Sequence, residues 1–509
     1  NGELWQHLLD TVLNDYLINS LLLLLGVGMG VLILGVPTAW LTSMCSFPGR
    51  RWLSWALLLP LAMPAYIIAY TYAGLLDFAG PVQSWIRDLT GLSYGDYWFF
   101  EIRSLGGAII MMSLVLYPYV YLMARAAFLE QSVSSIEVGC SLGYSRWQAL
   151  WKLALPMARP AIIAGLSLAL METLADYGTV QYYGVSTFTT GIFRTFYGYG
   201  DTAAAAQLAA SLLAFVILLV LLERYSRRRA RYHSAAESRA RADLIPLSGS
   251  KAIMACVICL SPLMFGFIIP ATQLLFWAVF EAEPLGWDFV GLAWNSFSLA
   301  FLAAIIAVTL AIILSYAKRT KPIKPVRTVL AMAGFGYALP GTIIAIGVLI
   351  PLAWLDHRLI DIFGSLGWDS PGLLLSGSLV ALLFAYTVRF LAVALGSVQS
   401  GLEKIKPSLD HVGRSMGHSP LDILRKIHVP LMRSSILTAV LIVFVDVLKE
   451  LPATLILRPF NFNTMAVRAY ELASDERLVD AAPASIMIVL VGLIPVLMLH
   501  ASIARRRPH

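Results

Sequence analysis

Residues 137–162 read EVGCSLGYSRWQALWKLALPMARPAI, and residues 411–436 read HVGRSMGHSPLDILRKIHVPLMRSSI. The two stretches lie 274 residues apart, and the same letter stands at ten of their 26 positions. The offset continues beyond them, because it also pairs Glu172 with Asp446 and Asp176 with Glu450. A constant offset over so many positions is the signature of an internal duplication. The chain is therefore predicted to consist of two homologous halves.

The composition indicates that the halves lie in a membrane. Of the 509 residues, 59% are hydrophobic and 13% are charged, and the mean hydropathy is +0.75. A soluble domain carries about 25% charged residues, so a water-soluble enzyme is improbable. Eleven apolar runs come near the roughly 20 residues that a helix needs to cross hydrocarbon. Runs such as 212–222 do not alternate as β-barrel strands do. The predicted fold class is an all-α polytopic membrane protein, with spans at 17–43, 53–76, 105–128, 161–182, 203–222, 252–280, 294–316, 327–352, 373–396, 435–457 and 481–503.

The basic residues predict the orientation of these spans. Lys and Arg concentrate in cytoplasmic loops, and most of the 37 basic residues fall in one alternating set of connections, such as 224–251, 318–327 and 404–433. This places Asn1 outside the cytoplasm and His509 inside it. The formal charge of +7 is dispersed over several short loops, which argues against a nucleic-acid surface.

Both repeated stretches fall on the cytoplasmic side, so the halves are expected to be parallel and related by a pseudo-twofold axis along the membrane normal. We expect a first unit over residues 1–225, a cytoplasmic linker over 226–250 and a second unit over 251–509. The second unit has a span before its Asn295-Ser296 pair, whereas the first reaches the matching Asn19-Ser20 almost at once. Twelve spans are therefore expected in the intact protein, and eleven in this chain.

Each repeated cytoplasmic loop has a similar order of residues. An acid or His is followed six residues later by Gly, then by apolar residues at helical spacing and a Pro. This pattern predicts a short helix, a turn that needs Gly, a second helix and a Pro at the start of the next span. Apolar residues on an exposed loop indicate a partner protein. The residues concerned are Glu137, Gly143, Trp147 and Pro156 in the first loop, and Asp410, His411, Gly417 and Pro430 in the second.

The two loops resemble the coupling loops of binding-protein-dependent ABC importer permeases, whose pattern is E-A-A, three residues, Gly and a final L-P. Glu137-Val138-Gly139 with Gly143 matches it, whereas the second copy has His411 where Glu is usual. The resemblance implies two type I importer units fused in tandem in a bacterial inner membrane. Coupling loops 134–160 and 404–434 would each dock on one of two copies of a cytoplasmic ABC ATPase. The sequence has no G-x-x-x-x-G-K-[ST] phosphate loop, so ATP is expected on that partner and the chain itself is expected to be no enzyme and to hold no stable cofactor.

Four acids near the ends of two spans predict a substrate path. Ionisable groups within spans are expensive and usually face a cavity or a partner. Carboxylates beside a tyrosine offer the hard oxygen ligands that suit a highly charged cation, and they would repel an oxyanion. Salt bridging, with Lys449 beside Glu450, and a helix end exposed to water are the competing explanations. The predicted path, with a transient metal site at its four acids, consists of Glu172, Asp176, Tyr177, Asp446 and Glu450.

The sequence around these acids narrows the choice of cargo. Residues 172–198 and 444–478 resemble the corresponding segments of iron(III)-transport permeases, which are also fused two-repeat chains. The resemblance implies transport of Fe3+ delivered by a periplasmic iron-binding protein. A permease for thiamine, another cation, is the alternative within the family. Arg194 and Arg468 recur among aromatic residues of the outer loops and are expected to dock the binding protein.

Two other classes of membrane protein compete with this interpretation. A secondary transporter runs on ion gradients and needs no loop that docks an ATPase. An intramembrane enzyme needs a clustered catalytic set such as H-E-x-x-H, which the sequence does not contain. The three matches to G-x-S-x-G, at 91–95, 139–143 and 413–417, lie in loops between the predicted spans. The repeated loops therefore favour the importer.

Overall fold

The computed structural model describes residues 6, 11–93, 96–130, 143–144, 148, 150–228, 244–284, 286–370 and 372–505. Helices make up nearly all of the first half. They are α1 (Leu13–Met44), α2 (Arg50–Ala56), α3 (Ala65–Leu76), α4 (Pro81–Thr90), α5 (Leu105–Glu130), α6 (Leu155–Ala175), α7 (Gly178–Tyr182), α8 (Phe188–Phe193) and α9 (Thr202–Arg228). A 3-10 turn at Leu59–Ala62 and π-helical turns at Leu150–Ala154 and Arg194–Gly198 complete it.

The second half is also helical. Its helices are α10 (Ser250–Leu263), α11 (Ile269–Phe276), α12 (Trp287–Thr320), α13 (Lys324–Ala333), α14 (Gly341–Ser365), α15 (Leu379–Glu403), α16 (Ser408–Ser415), α17 (Pro420–Ile423), α18 (Val429–Leu431), α19 (Arg433–Leu448), α20 (Pro452–Leu457), α21 (Met465–Ser474) and α22 (Leu478–Arg505). π-helical turns lie at Met264–Ile268, Trp277–Glu281 and Leu424–His428, and a 3-10 turn at Gly336–Ala338. Two short parallel strands, β1 (Cys45–Ser46) and β2 (Ile245–Pro246), tie the end of the linker to the end of α1.

The number of membrane spans agrees with the prediction when two bent helix pairs are included. Within the described residues nine helices are long and apolar enough to cross a membrane, and two bent pairs raise the number to eleven. Arg50–Ala62 and Ala65–Thr90 meet at 91°, and Pro420–Leu431 and Arg433–Leu448 meet at 78°. Pro64 stands at the first break as the residue before α3, where its fixed φ and missing N–H favour a new helix start.

Three of the predicted spans have wrong boundaries. The span expected at 327–352 is interrupted between Ala333 and Gly341, and the long helix runs from Gly341 to Ser365. Pro340 precedes that helix, as Pro64 precedes α3 in the first half. The spans expected at 161–182 and 435–457 end early, at Ala175 and Leu448. The apolar pattern continues past both ends, but the backbone does not continue as a helix.

Each half is organised around a triad of long helices. In the first half α1, α5 and α6 pack on one another, and in the second half α12, α15 and α19 do the same. Buried positions on α5 recur on α15 at the offset of 274, as Met112 and Tyr386 or Val120 and Ala394 do. The duplicated sequence therefore builds the same core twice.

The halves exchange their last helices. α9 of the first half packs against α14 of the second, and α22 of the second half packs against α3 and the Leu59–Ala62 turn of the first. Gly492 of α22 lies so close to this turn that an added Cβ would come within 2.9 Å of the Ala62 carbonyl oxygen. The exchange leaves a junction between the halves that both of them line.

The repeated Asn-Ser pair has a structural explanation. Ser20 Oγ accepts a hydrogen bond from the backbone N–H of Phe188, at the start of α8, at 3.5 Å. Ser296 Oγ accepts the equivalent bond from Met465, at the start of α21, at 2.8 Å. The first N–H groups of a helix lack partners within it, and a membrane interior offers no water to replace them. In both halves the serine of the Asn-Ser pair accepts one of these N–H groups.

A close crossing of α5 and α6 depends on Gly165. A Cβ at this position of α6 would lie 2.7 Å from the Tyr119 carbonyl oxygen and 2.8 Å from Val120 Cα. We expect Gly165→Ala to destabilise the chain by about 1 to 3 kcal/mol, because overpacking forces backbone shifts. Thermal unfolding in detergent measures this, with Gly396→Ala as the matched control, since that helical glycine has no neighbour within 4 Å. Equal midpoints for the two variants would contradict the close crossing.

Candidate functional site

All the residues predicted for the substrate path line one cavity. It lies between the two halves and contains about 130 Å³ of water-accessible space, enough for several water molecules or a hydrated ion. The first half contributes Glu172, Asp176 and Tyr177, and the second contributes Asp446 and Glu450. Residues 274 positions apart thus converge on the same space.

Asp176 caps α7, the short helix that follows the end of α6. The backbone is extended at Asp176, where α6 ends. Its carboxylate accepts hydrogen bonds from the N–H groups of Thr179 at 3.0 Å and Val180 at 3.1 Å. It also accepts one from the Thr179 hydroxyl at 2.9 Å. These bonds satisfy the free N–H groups at the start of α7, so the carboxylate has a structural task.

Glu450 performs the same task in the second half. Its carboxylate accepts hydrogen bonds from the N–H groups of Ala453 at 3.0 Å and Thr454 at 3.1 Å, and from the Thr454 hydroxyl at 2.7 Å. It thereby caps α20. The prediction that Asp176 and Glu450 lie within their spans is wrong, because both stand just beyond the helix end. The sequence signal for this role was the Thr that follows each acid.

The cavity also holds basic side chains. Lys449 Nζ lies 3.0 Å from Asp446 Oδ1, one helical turn away. Arg389 Nη1 on α15 lies 4.0 Å from Glu450 Oε1. The expectation that Lys449 pairs with Glu450 is therefore wrong, because Lys449 pairs with Asp446. Sequence reasoning missed Arg389, although a lone Arg in an apolar run was a signal.

Glu172 differs from the other acids of the cavity. It takes part in no hydrogen bond or ion pair with another residue of the described ranges, although it lies within electrostatic range of Lys449 and of the Tyr119 hydroxyl. Its side chain is partly exposed to the cavity. Glu172 is therefore the acid whose oxygens are most available to a ligand.

The cavity does not contain an assembled metal site in this conformation. In the part of the chain that the structure describes, no three His, Cys, Asp or Glu side chains lie close enough to hold a metal ion together. Tyr177 is also engaged, because its ring stacks on Phe193 with 3.7 Å between the ring centroids and its hydroxyl lies 3.2 Å from that of Tyr470. The transient metal site expected at the four acids stays a prediction.

Arg194 and Arg468 are both exposed. Arg194 begins the π-helical turn after α8 and makes a side-chain hydrogen bond with Tyr16. Arg468 lies on α21 with its Nη1 4.0 Å from Glu471 Oε2. Each of these contacts is with a residue of the same half. Their exposure is compatible with docking, and a docking role stays a prediction.

The described part of the repeated loops has the predicted Gly turn. Gly143 has φ of +88° and Gly417 has φ of +81°, a region that other residues enter at a cost. In the second loop the N–H of Gly417 bonds to the Arg414 carbonyl at 3.0 Å, and that of His418 to the Gly413 carbonyl at 3.1 Å. These two bonds form a Schellman motif that ends α16. Glu137 and Trp147 lie outside the described residues.

The second loop presents an apolar surface. His411, Val412, Met416 and Leu421 are exposed, with 71% of Met416 accessible. Pro156 and Pro430 are exposed in the first turns of α6 and α18. Such a patch on a polar loop indicates a partner.

Asp410 is not part of this exposed surface, and its predicted role in ATPase coupling stays a prediction. It is buried, and its carboxylate accepts a hydrogen bond from Arg319 Nε on α12 at 2.8 Å. His428 Nε2 lies 2.5 Å from its other oxygen. Arg319 also donates to the carbonyls of Leu402 and Ile405 at 2.7 and 2.9 Å. The cluster fastens the second loop to the end of a spanning helix.

Comparison with known proteins agrees with this architecture. Residues 18–232 match the family described as "Binding-protein-dependent transport system inner membrane component". The Fe(3+)-transport system permease protein FbpB 2 of Haemophilus influenzae is 26% identical over 490 residues, covering 95% of this chain and 89% of that protein. The ferric transport system permease protein FbpB of Actinobacillus pleuropneumoniae is 21% identical over 85% of this chain and 63% of its own length. The molybdenum transport system permease protein ModB of Escherichia coli is 26% identical over 38% of this chain and 87% of that protein.

The Asp410 cluster gives a pH-dependent prediction. Burial alone would raise the pKa of Asp410, but the hydrogen bonds from Arg319 and His428 outweigh it and lower the pKa below its ordinary value of 3.8. The ionised carboxylate therefore contributes stability above about pH 4, and this contribution is lost as the pH falls through the lowered pKa.

At pH 7 we expect Asp410→Asn to reduce the hydrogen-exchange protection of residues 408–428 by about 3 kcal/mol, because it leaves Arg319 without its anion. The matched control is Asp422→Asn in the same loop, whose 3.6 Å pair with Lys426 is exposed and worth little. Equal protection in Asp410→Asn and the unmodified chain would contradict the fastening role.

Proposed function

We propose that this chain, which belongs to the ABC transporter permeases of the binding-protein-dependent inner membrane family, is the membrane subunit of an ATP-driven importer that carries ferric iron into the cytoplasm. The observation that carries the proposal is the convergence of Glu172, Asp176, Asp446 and Glu450 on one cavity between the halves. Each acid comes from a matched position, so the cavity lies on the pseudo-symmetry axis that a shared path would follow.

The charge of the cavity favours a cation. Four acids line it with two bases, Arg389 and Lys449, which gives a formal charge of −4 + 2 = −2. At low dielectric an anion would be repelled, whereas carboxylate and phenol oxygens suit a hard cation such as Fe3+. Similarity to two permeases named for ferric transport, over 95% and 85% of this chain, supports the same cargo. The molybdenum permease is similar over only 38% of the chain.

The cavity residues have different roles in transport. Asp176 and Glu450 hold the starts of α7 and α20, so they fix the shape of the path. Glu172 is the acid that offers a free carboxylate to the cargo, and Asp446 follows once its bond to Lys449 opens. A path with one strong ligand and several weak ones attracts the cation without trapping it.

The loops link this path to ATP hydrolysis on the partner subunits. The exposed patch of His411, Val412, Met416 and Leu421 would dock on one ATPase, and the first loop, with Gly143, on a second copy. Closure of the two ATPases would draw the loops together, and the contact of Asp410 with Arg319 would pass the movement to α12. A periplasmic iron-binding protein would deliver the cargo at the opposite side, at the surface of Arg194 and Arg468.

The free acid provides the test of the path. We expect Glu172→Gln to lower ATP-dependent iron uptake at least about ten-fold, because it removes a charge that attracts a trivalent cation. Its thermal stability and its binding to the ATPase should not change, since Glu172 supports no hydrogen bond or ion pair within the described ranges. Glu281→Gln, at the exposed end of another spanning helix, is the control and should retain uptake. Full uptake by Glu172→Gln would refute the path.

The Gly turn provides the test of coupling. Gly417→Ala places a Cβ at φ of +81°, which costs about 1 to 2 kcal/mol and displaces the loop. We expect ATP hydrolysis to continue while iron uptake falls, because docking and movement become separated. Gly286→Ala, at an open glycine of ordinary φ outside the loop, should leave both rates unchanged. An unchanged ratio of iron imported to ATP hydrolysed in Gly417→Ala would exclude the loop assignment.

A further inference from the structure

Lys449 lies between acids of both halves. Its Nζ is 3.0 Å from Asp446 of its own half, and it is within electrostatic range of Glu172 of the other half. The backbone carbonyl of the same residue accepts a hydrogen bond from the Tyr66 hydroxyl of the first half at 3.2 Å. The ammonium group is therefore placed where the charges of the two halves meet.

The symmetry of the chain is broken at this position. The residue that matches Lys449 at the offset of 274 is Ala175, which also lines the cavity. Arg389 is likewise matched by Val115. Both halves supply two acids, but the second half alone supplies the bases. A single lysine on the axis can serve both halves at once, whereas two lysines would repel one another there.

We propose that the ammonium group of Lys449 is a tethered counter-ion that occupies the place of the cargo cation while the cavity is empty. The inference rests on the proposed function in one respect, namely that the cavity receives a cation. Without a cation, Glu172 and Asp446 would be unpaired charges in one cavity of low dielectric, which is costly. Lys449 removes this cost, and it returns to the acids when the cargo leaves.

A tethered cation also sets the selectivity of the site. A free monovalent ion that displaced Lys449 would gain no charge over the ammonium group, and it would compete with a group of high effective concentration. A trivalent ion carries two more positive charges than the ammonium group, so the same acids attract it more strongly. Lys449 therefore excludes monovalent ions from the path and admits multivalent ones.

Lys449 is better suited to this role than Arg389. The lysine stem is flexible and its ammonium is a compact charge, and 30% of its side chain is exposed to the cavity. Arg389 is 9% exposed, with its guanidinium 5.7 Å from the Phe390 ring. Its Nη1 is 2.9 Å from the place of a Cβ on Gly341. Lys449 can leave its acids, whereas Arg389 is confined.

The test is Lys449→Ala, which gives the second half the residue of the first. The full chain in lipid nanodiscs is titrated with Tb3+, a hard trivalent probe whose luminescence rises on binding to oxygen ligands. We expect Tb3+ to bind at least about ten-fold more tightly to Lys449→Ala than to the unmodified chain. Adding Glu172→Gln should remove the gain, as a double-mutant cycle requires. Competition by K+ should be greater in Lys449→Ala.

The matched control is Arg477→Ala, which removes another pair at the same spacing, 2.6 Å from Asp480 and outside the cavity. Unchanged Tb3+ affinity in Lys449→Ala, or an equal gain in Arg477→Ala, would overturn the proposal. Lys449→Met keeps the apolar stem, and it replaces Lys449→Ala if the smaller residue lowers the thermal midpoint.

Iron uptake by the unmodified chain separates this inference from the proposed function. A gain of Tb3+ affinity in Lys449→Ala without iron uptake by the unmodified chain would support the counter-ion and reject the ferric cargo. Iron uptake by the unmodified chain with no gain of Tb3+ affinity would reject the counter-ion and leave the cargo standing.

Discussion

The hydrogen bonds from the starts of α7 and α20 to Asp176 and Glu450 are the interaction on which the site depends. Two spanning helices end within the bundle, and each end exposes backbone groups that lipid cannot satisfy. A carboxylate accepts the N–H groups of the next short helix in each half. Without these caps the first N–H groups of α7 and α20 would lack partners at the edge of the cavity.

The caps also determine which acids remain available. Asp176 and Glu450 use their oxygens on the backbone, and Asp446 is held by Lys449. Glu172 stays free among the described residues. The duplication therefore did not produce four equivalent ligands. It produced two acids that cap helices and two that face the cavity, with the difference arising from their distance to the helix break.

Much of the fold could be predicted from the sequence because hydrophobicity and duplication act over long stretches. The number of spans followed from the apolar runs, the halves from the constant offset of 274, and the Gly turn of the repeated loops from Gly143 and Gly417. The helix breaks could not be found from hydropathy, because 451–457 is apolar apart from Thr454 and 177–182 contains no charged residue. The partners of Asp410 and Arg389 were also beyond reach, since both pairs depend on packing between distant helices.

The central claim is that one cavity shared by the halves carries ferric iron at the expense of ATP. The most direct measurement is transport into proteoliposomes that contain this chain with its ATPase subunits, supplied with the iron-loaded binding protein. Iron, thiamine and molybdate are each offered with and without ATP. The prediction is accumulation of iron that requires ATP and the binding protein, with no accumulation of molybdate. Accumulation of molybdate or thiamine in place of iron, or iron transport independent of ATP, would contradict it.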